Sequence, residues 1–316
     1  MPLSLIHLEH SLSSSHDEER TVRYAKSAYE DFDEECNMDV IRDLCAMHEW
    51  RACRAASRNL GFVPTMGYLH DGHMALCRAA KNACEQVVVS IFVNPTQFGP
   101  NEDLDRYPRD EKGDLAKLRT VGVDAVFLPR VEALYPPGCD TRVHTGAAGR
   151  ILCGARRPGH FDGVATIVTK FFHIIQPTHA FFGLKDYQQY CIIKKIVSDL
   201  NMKVEIVGVP TVREQDGLAM SSRNAYLSDE ERRCAHIIPE SLEKARVSWD
   251  KGERDVRTIE ALVRRHLEKE KRATIEYVSA VDGVTLGAPQ PGHPVVVALA
   301  LRIGTTRLID NIVLRA

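Results

Sequence analysis

Seven consecutive residues, 87–93 (VVVSIFV), carry no charge and only one hydroxyl. A run this short and this rich in β-branched side chains reads as a strand. Its lack of polar alternation implies burial on both faces. Such strands belong in parallel sheets covered by helices, because each parallel connection needs a crossover. The flanking sequence supplies those helices. Asp43 can cap one with Leu44, Met47 and Trp50 on its apolar face, and Asp110 can start another carrying Leu115 and Leu118. Val164, Ile167, Val168, Phe171, Phe172 and Ile175 share one face of a third, and Asp186 opens a fourth. Short strands are expected at 60–63, 124–128, 180–182 and 204–209, the last closed by Pro210. The expected fold class is α/β, a Rossmann-like parallel sheet with helices on both faces, spanning 38–210.

Beyond about residue 224 the pattern changes. Ser228-Asp229-Glu230-Glu231 has the form of a capping box, and Asp255 can cap a helix carrying Ile259, Leu262, Val263 and Leu267. Three strand-like runs follow, at 274–279, 295–301 and 307–313, so 211–316 reads as a smaller α+β domain. Residues 1–37 hold nine acidic and three basic residues and no regular apolar period, which predicts a disordered extension. The remainder is weakly basic, at +4, too little for a nucleic-acid surface but compatible with small anions.

At 316 residues, 44% hydrophobic and 27% charged, the chain has an ordinary globular balance and no 18-residue apolar run, so no membrane span is expected. The N-terminus lacks the pattern of a secretory signal. Nine cysteines at irregular spacing, without a C-x-x-C pair, fit reduced thiols in a cytoplasm better than a disulfide framework.

Within this frame one decapeptide concentrates chemistry: PTMGYLHDGH, residues 64–73. It follows an apolar run and precedes Met74, Leu76, Cys77 and Ala80 at helical spacing. A strand–loop–helix junction points unpaired N–H groups and a partial positive charge at whatever sits there, and so favours an anion. His70 and His73 would add donors to the same anion, most simply a nucleotide phosphate. Two other readings stay open for this pair: metal ligation, and plain capping and packing.

Three further segments fall at expected strand ends, where open α/β sheets bind ligands. In 92–99, Gln97 can orient a hydroxyl or carboxylate, although Asn-Pro turn chemistry alone explains much of that segment. In 182–189, Gly183 permits close approach, Lys185 can meet phosphate, Asp186 can cap a helix or bind a ribose, and Gln189 lies one turn on. In 212–224, Ser221, Ser222 and Arg223 can surround a polyphosphate, or form a hydroxyl-rich linker.

Taken in order, PTMGYLHDGH, SIFVNPTQFG followed by DLDRYPRD, RPGHFDGVATIV, FFGLKDYQQ and REQDGLAMSSRN resemble the pantothenate synthetase (pantoate–β-alanine ligase) family over roughly residues 38–316. The HxGH element alone indicates only the wider nucleotidyltransferase superfamily, whose other adenylyl- and cytidylyltransferases are the alternative. The resemblance implies a Rossmann-like domain with a C-terminal lid, a homodimer, and ATP as substrate with Mg²⁺. It also implies a pantoyl adenylate that β-alanine converts to pantothenate and AMP. Carried over by position, Met66, Gly67, Tyr68, Leu69, His70, Asp71, Gly72 and His73 form the nucleotide loop. His73 is the proton donor there and His70 its phosphate-binding companion. Gln97 and Gln189 match pantoate-binding residues, Gln97 also lying near β-alanine. Gly183, Leu184, Lys185 and Asp186 match an ATP-binding stretch, with Lys185 catalytic. Val212 matches an adenine contact, and Met220, Ser221, Ser222 and Arg223 a phosphate loop. Leu184 departs from the family's commoner glutamate.

Overall fold

The computed structural model describes residues 38–54, 59–100 and 102–315. The expected acidic extension, 1–37, lies outside the described residues. Six parallel strands form the main sheet: β1 (Asp39–Ile41), β2 (Leu60–Thr65), β3 (Gln86–Ile91), β4 (Ala125–Phe127), β5 (His179–Gly183) and β6 (Glu205–Val209). Their order across the sheet is β1-β4-β3-β2-β5-β6. The order reverses direction beside β2, which creates a crevice beyond the strands' carboxyl ends. β1 was not anticipated; three residues carry too little pattern to be read as a strand.

Helices cover both faces, as the doubly buried strands require. α1 (Leu44–Cys53), α4 (His160–Ile175) and α5 (Tyr187–Asp199) pack on one side around Trp50, Phe62, Phe127 and Phe171. Phe171 is the hub, with edge contacts to Phe62, Phe92 and Phe127 at ring separations of 5.7, 6.1 and 6.1 Å. α2 (Asp71–Ala83) and α3 (Glu111–Val121) pack on the other side through Met74, Cys77, Ala80 and Leu118. The caps read from sequence recur: Asp43 accepts the Cys45 and Ala46 N–H groups, and Asp110 accepts that of Gly113. The exception is Asp186, which stands at the N-cap of α5 but makes no side-chain capping bond.

β2 explains where the sheet opens. It pairs with β3 over six residues but with β5 only at Gly61 and Phe62. Pro64, two residues on, has no N–H to extend that second ladder. β2 therefore continues past residue 63, the expected end, to Thr65, with one edge unpaired and facing the crevice.

The second unit packs α6 (Asp229–Ala235), α7 (Ile237–Asp250) and α8 (Val256–Leu267) on an antiparallel sheet of β7 (Ala273–Asp282), β8 (Val295–Ile303) and β9 (Thr306–Leu314). The Ser228–Glu231 capping box is present. β9 also reaches the first unit: the Asn311 amide donates to the Leu184 and Lys185 carbonyls at 2.9 and 2.8 Å. Beside it, Asp310 pairs with Arg213 of the segment that follows β6, at 2.7 Å.

The loop between β2 and α2 is held from behind. Gly67 (φ +83°) and Tyr68 (φ +52°) are both left-handed. For tyrosine that conformation costs roughly 1–2 kcal/mol. It persists because buried Asp114 of α3 accepts the Tyr68 and Leu69 N–H groups, each at 2.7 Å, while Lys117 donates to the Leu69 carbonyl at 2.7 Å. Asp114→Asn keeps the volume but replaces one acceptor oxygen by a donor, leaving one of those N–H groups unmet. We expect a loss of about 1–3 kcal/mol, read as a lower urea midpoint. An unchanged midpoint would contradict this role.

Candidate active site

The loops at the carboxyl ends of β2, β3 and β5 meet the 210–223 segment around a cavity of about 230 Å³. A larger cavity, about 330 Å³, adjoins it between the two units and shares Lys185, Asp186, Gln189 and Arg223 with it. His70 and His73 lie on the wall of the first. His70 is the N-cap of α2, and its Nδ1 accepts the Gly72 N–H at 3.1 Å. The His73 Nδ1 accepts the His70 N–H at 3.3 Å. The ring centroids are 4.1 Å apart, with the planes tilted by 36°. Each imidazole thus caps the helix with Nδ1, and in the neutral form its proton sits on Nε2. Capping and anion binding, set apart as rival readings of the sequence, use different nitrogens of the same rings.

Burial, then the positive charge of Lys185, pushes the pKa of His70 down to about 4. Burial, His70 and Lys185 hold His73 well below its usual value. Both rings are therefore neutral Nε2–H donors near pH 7. Gly72 is required by this arrangement, since a Cβ there would lie 2.8 Å from the His70 ring.

Gln97 is set by buried Asn94, whose Nδ2 donates to the Gln97 Oε1 and to the Gly163 carbonyl, both at 3.1 Å. The Gln97 Nε2 rests on the Met66 Sδ at 3.1 Å, a weak acceptor that a ligand oxygen can displace. α4 approaches this turn so closely that a Cβ on Gly163 would lie 2.4 Å from the Thr96 carbonyl oxygen. Of the two neighbouring glutamines on α5, Gln188 is consumed structurally by Cys153, Ala148 and Ile151. Gln189 lines the cavity, and its side chain makes no hydrogen bond to the described residues.

The structure brings together most of the residues singled out by sequence. Met66, His70, Gly72, His73, Gln97, Gly183, Lys185, Asp186, Gln189, Val212, Met220, Ser221, Ser222 and Arg223 all line the cavity. Gly67, Tyr68, Leu69, Asp71 and Leu184 do not. The first three shape the loop, Asp71 is exposed in the first turn of α2, and the Leu184 side chain lies against Gly208. Lys185 Nζ stands 3.7 Å from Asp186. Ser221 caps the turn at 222–226 by accepting the Arg223 N–H, and the Ser222 hydroxyl donates to the Tyr68 carbonyl.

Sequence reasoning gave no role to Arg157 and His160. Arg157 Nη1 donates to the His160 Nε2 at 2.9 Å, so His160 donates from Nδ1 to the Gln97 carbonyl at 2.8 Å. Burial, then Arg157, lowers the His160 pKa to about 3. The RPGHFDG motif carried both residues, but nothing local to it reveals a partner 63 positions away.

A family profile described as pantoate-beta-alanine ligase matches residues 39–313. The pantothenate synthetase of Pelotomaculum thermopropionicum is 53% identical over 84% of this chain and 94% of its own. The crystal structure of pantothenate synthetase from Thermus thermophilus superposes with a TM-score of 0.80 at 43% identity, covering 86% of this chain and 98% of that one. A pantoate-beta-alanine ligase from Francisella tularensis, complexed with beta-gamma ATP and beta-alanine, gives 0.73 at 34% identity over 87% and 97%.

The histidine geometry predicts a pH effect. Unfolded histidine binds a proton near pH 6.5, whereas native His70 resists until about pH 4. Between those values the unfolded chain binds more protons, so this residue makes stability fall as pH falls. Asn in place of His70 keeps an oxygen for the Gly72 N–H and cannot titrate. His70→Asn should flatten the loss of stability between pH 6.5 and 4 in denaturant titrations. An equal slope in both proteins would contradict a neutral His70.

Proposed function

The chain belongs to the pantoate–β-alanine ligase family, and from that premise we propose that it condenses pantoate with β-alanine in an ATP-dependent reaction. The products are pantothenate, AMP and pyrophosphate, formed through a bound pantoyl adenylate. The observation that carries this reading is the convergence of two neutral Nε2–H donors and Lys185 on a cavity that also presents two glutamine amides.

The roles follow from the chemistry of the groups. Pantoate has a carboxylate and hydroxyls but no cationic group, so Gln97 and Gln189 can hold it by neutral hydrogen bonds. ATP places its adenine near Val212, its ribose near Asp186, and its phosphates across His70, His73, Lys185 and the loop of Met220, Ser221, Ser222 and Arg223. A pantoate carboxylate oxygen attacks the α-phosphorus, and the bond to the departing pyrophosphate breaks with its electron pair. His73 and His70 donate hydrogen bonds to the phosphate oxygens as charge builds, and Lys185 balances it. In the ligand-free protein His73 is neutral, and its Nε2–H is the donor it offers to the phosphates. No side-chain nucleophile is required. The amine of β-alanine then attacks the acyl carbon beside Gln97, displacing AMP and losing a proton. The segment at 220–223 shields the mixed anhydride from water. Leu184, whose carbonyl is taken by Asn311 and whose side chain lies on Gly208, contributes by shape alone.

Mg²⁺ accompanies ATP in this reading. Among the described residues no group of three His, Cys, Asp or Glu side chains could hold a metal. In this reading the phosphates hold most of the ion, and Asp186 would be the carboxylate available to it in the cavity. It would neutralise phosphate charge. The homodimer rests on the family likeness, and sedimentation measures it. No helix among the described residues is long and apolar enough to cross a membrane, and the proposal of a cytoplasmic location rests on the eight cysteines that are unpaired among the described residues.

Pyrophosphate should appear only when both ATP and pantoate are present, and pantothenate only after β-alanine is added. Release that ignores pantoate would indicate a different nucleotidyltransferase. His73→Ala should lower kcat by about 10²–10⁴-fold while the protein stays folded by circular dichroism. Near-normal turnover would remove His73 from the reaction.

A further inference from the structure

The acidic pair Glu102-Asp103, at the head of the EDLDRYP segment, has no part in the roles above. Each acid holds one arginine of the cleft. Glu102 takes the Nε and Nη2 of Arg157 at 2.6 and 2.5 Å. Asp103 takes the Nε and Nη2 of Arg223 at 2.9 and 2.8 Å. Their positions within the guanidinium differ in consequence. Arg157 spends its remaining donors inward, on the His160 Nε2 and the Gln97 carbonyl. Among the described residues the Arg223 guanidinium makes no other hydrogen bond, and it lines both cavities.

A guanidinium has five N–H donors arranged as two usable forks. Asp103 occupies the side fork of Arg223, made by Nε and Nη2. The end fork, Nη1 and the second Nη2 hydrogen, stays free. Three contacts fix the approach: Arg223 lies over the Tyr107 ring at 5.9 Å, the Ser222 hydroxyl donates to the Tyr68 carbonyl, and the Tyr226 hydroxyl donates to the Arg106 carbonyl. The pair spans 120 residues and is largely shielded from water, with side chains 27% and 13% exposed. The shielding limits screening and makes the orientation firm.

We propose that Asp103 is a positioning residue that holds the end fork of Arg223 toward the polyphosphate of ATP, while its neighbour Glu102 uses Arg157 to brace the Gln97 side of the cleft. One carboxylate thus serves the nucleotide half of the site and the other the acid half. The proposal rests on the reading of Arg223 as a phosphate ligand. Asp103 itself touches no substrate.

The test is a KM comparison on the full-length protein. Asp103→Asn should raise KM for ATP by about tenfold, the worth of a charge-assisted hydrogen bond, with KM for pantoate changed less than twofold. Glu102→Gln should do the reverse. Asp103→Glu, which keeps the charge, should recover most of the loss; it also serves if the Asn variant fails to fold. In an Arg223→Gln background, Asp103→Asn should have no further effect on KM for ATP. If Arg223→Gln leaves KM for ATP unchanged, the phosphate role of Arg223 fails and the proposal with it. If Arg223→Gln raises KM for ATP but Asp103→Asn does not, or if its effect persists without Arg223, the proposal alone is overturned.

Discussion

The backbone N–H groups at the entry to α2 must find acceptors, and that requirement fixes the chemistry of the site. A helix start leaves such donors unpaired. Here the acceptors are the Nδ1 atoms of His70 and His73, and once Nδ1 is spent only Nε2 can carry the proton. Tautomer, ring orientation and neutrality all follow from one local need. Burial and Lys185 then reinforce the neutral state. The price is the strained turn at Gly67 and Tyr68, which Asp114 and Lys117 hold in place.

The cleft itself has an equally local origin. β2 and β5 pair over two residues and then part, and Pro64 cannot close the gap. The loops that follow these strands carry His70 and Lys185, so the separation sets the width of the site. Its two halves are held independently. Asn94, Arg157 and His160 set Gln97, whereas Asn311 and the segment at 220–223 set the nucleotide side.

Local pattern revealed much of this. The uniform run at 87–93 identified a doubly buried strand, and the structure gives Gln86–Ile91. The apolar stripe at 164–175 marked a helix but missed its first turn, because His160 and Asp162 are polar and point to partners elsewhere. The cavity-lining positions were legible because they cluster in short motifs at strand ends. What stayed hidden depends on distance along the chain. Asp114, Arg157, His160 and Asn311 act through partners 45 to 127 residues away, apart from the local Arg157–His160 bond. Gly72 is the instructive case: its need is dictated by a ring two residues back, visible only once the His70 rotamer is known.

The most direct test of the account is the protonation state of the two histidines. In protein labelled with ¹⁵N-histidine, each ring at pH 7 should show a pyridine-type Nδ1 and a pyrrole-type Nε2–H. His70 should remain so until the pH approaches 4. Rings that carry the proton on Nδ1, or that become imidazolium near pH 6.5, would contradict the claim that helix capping sets the reactive form of the pair.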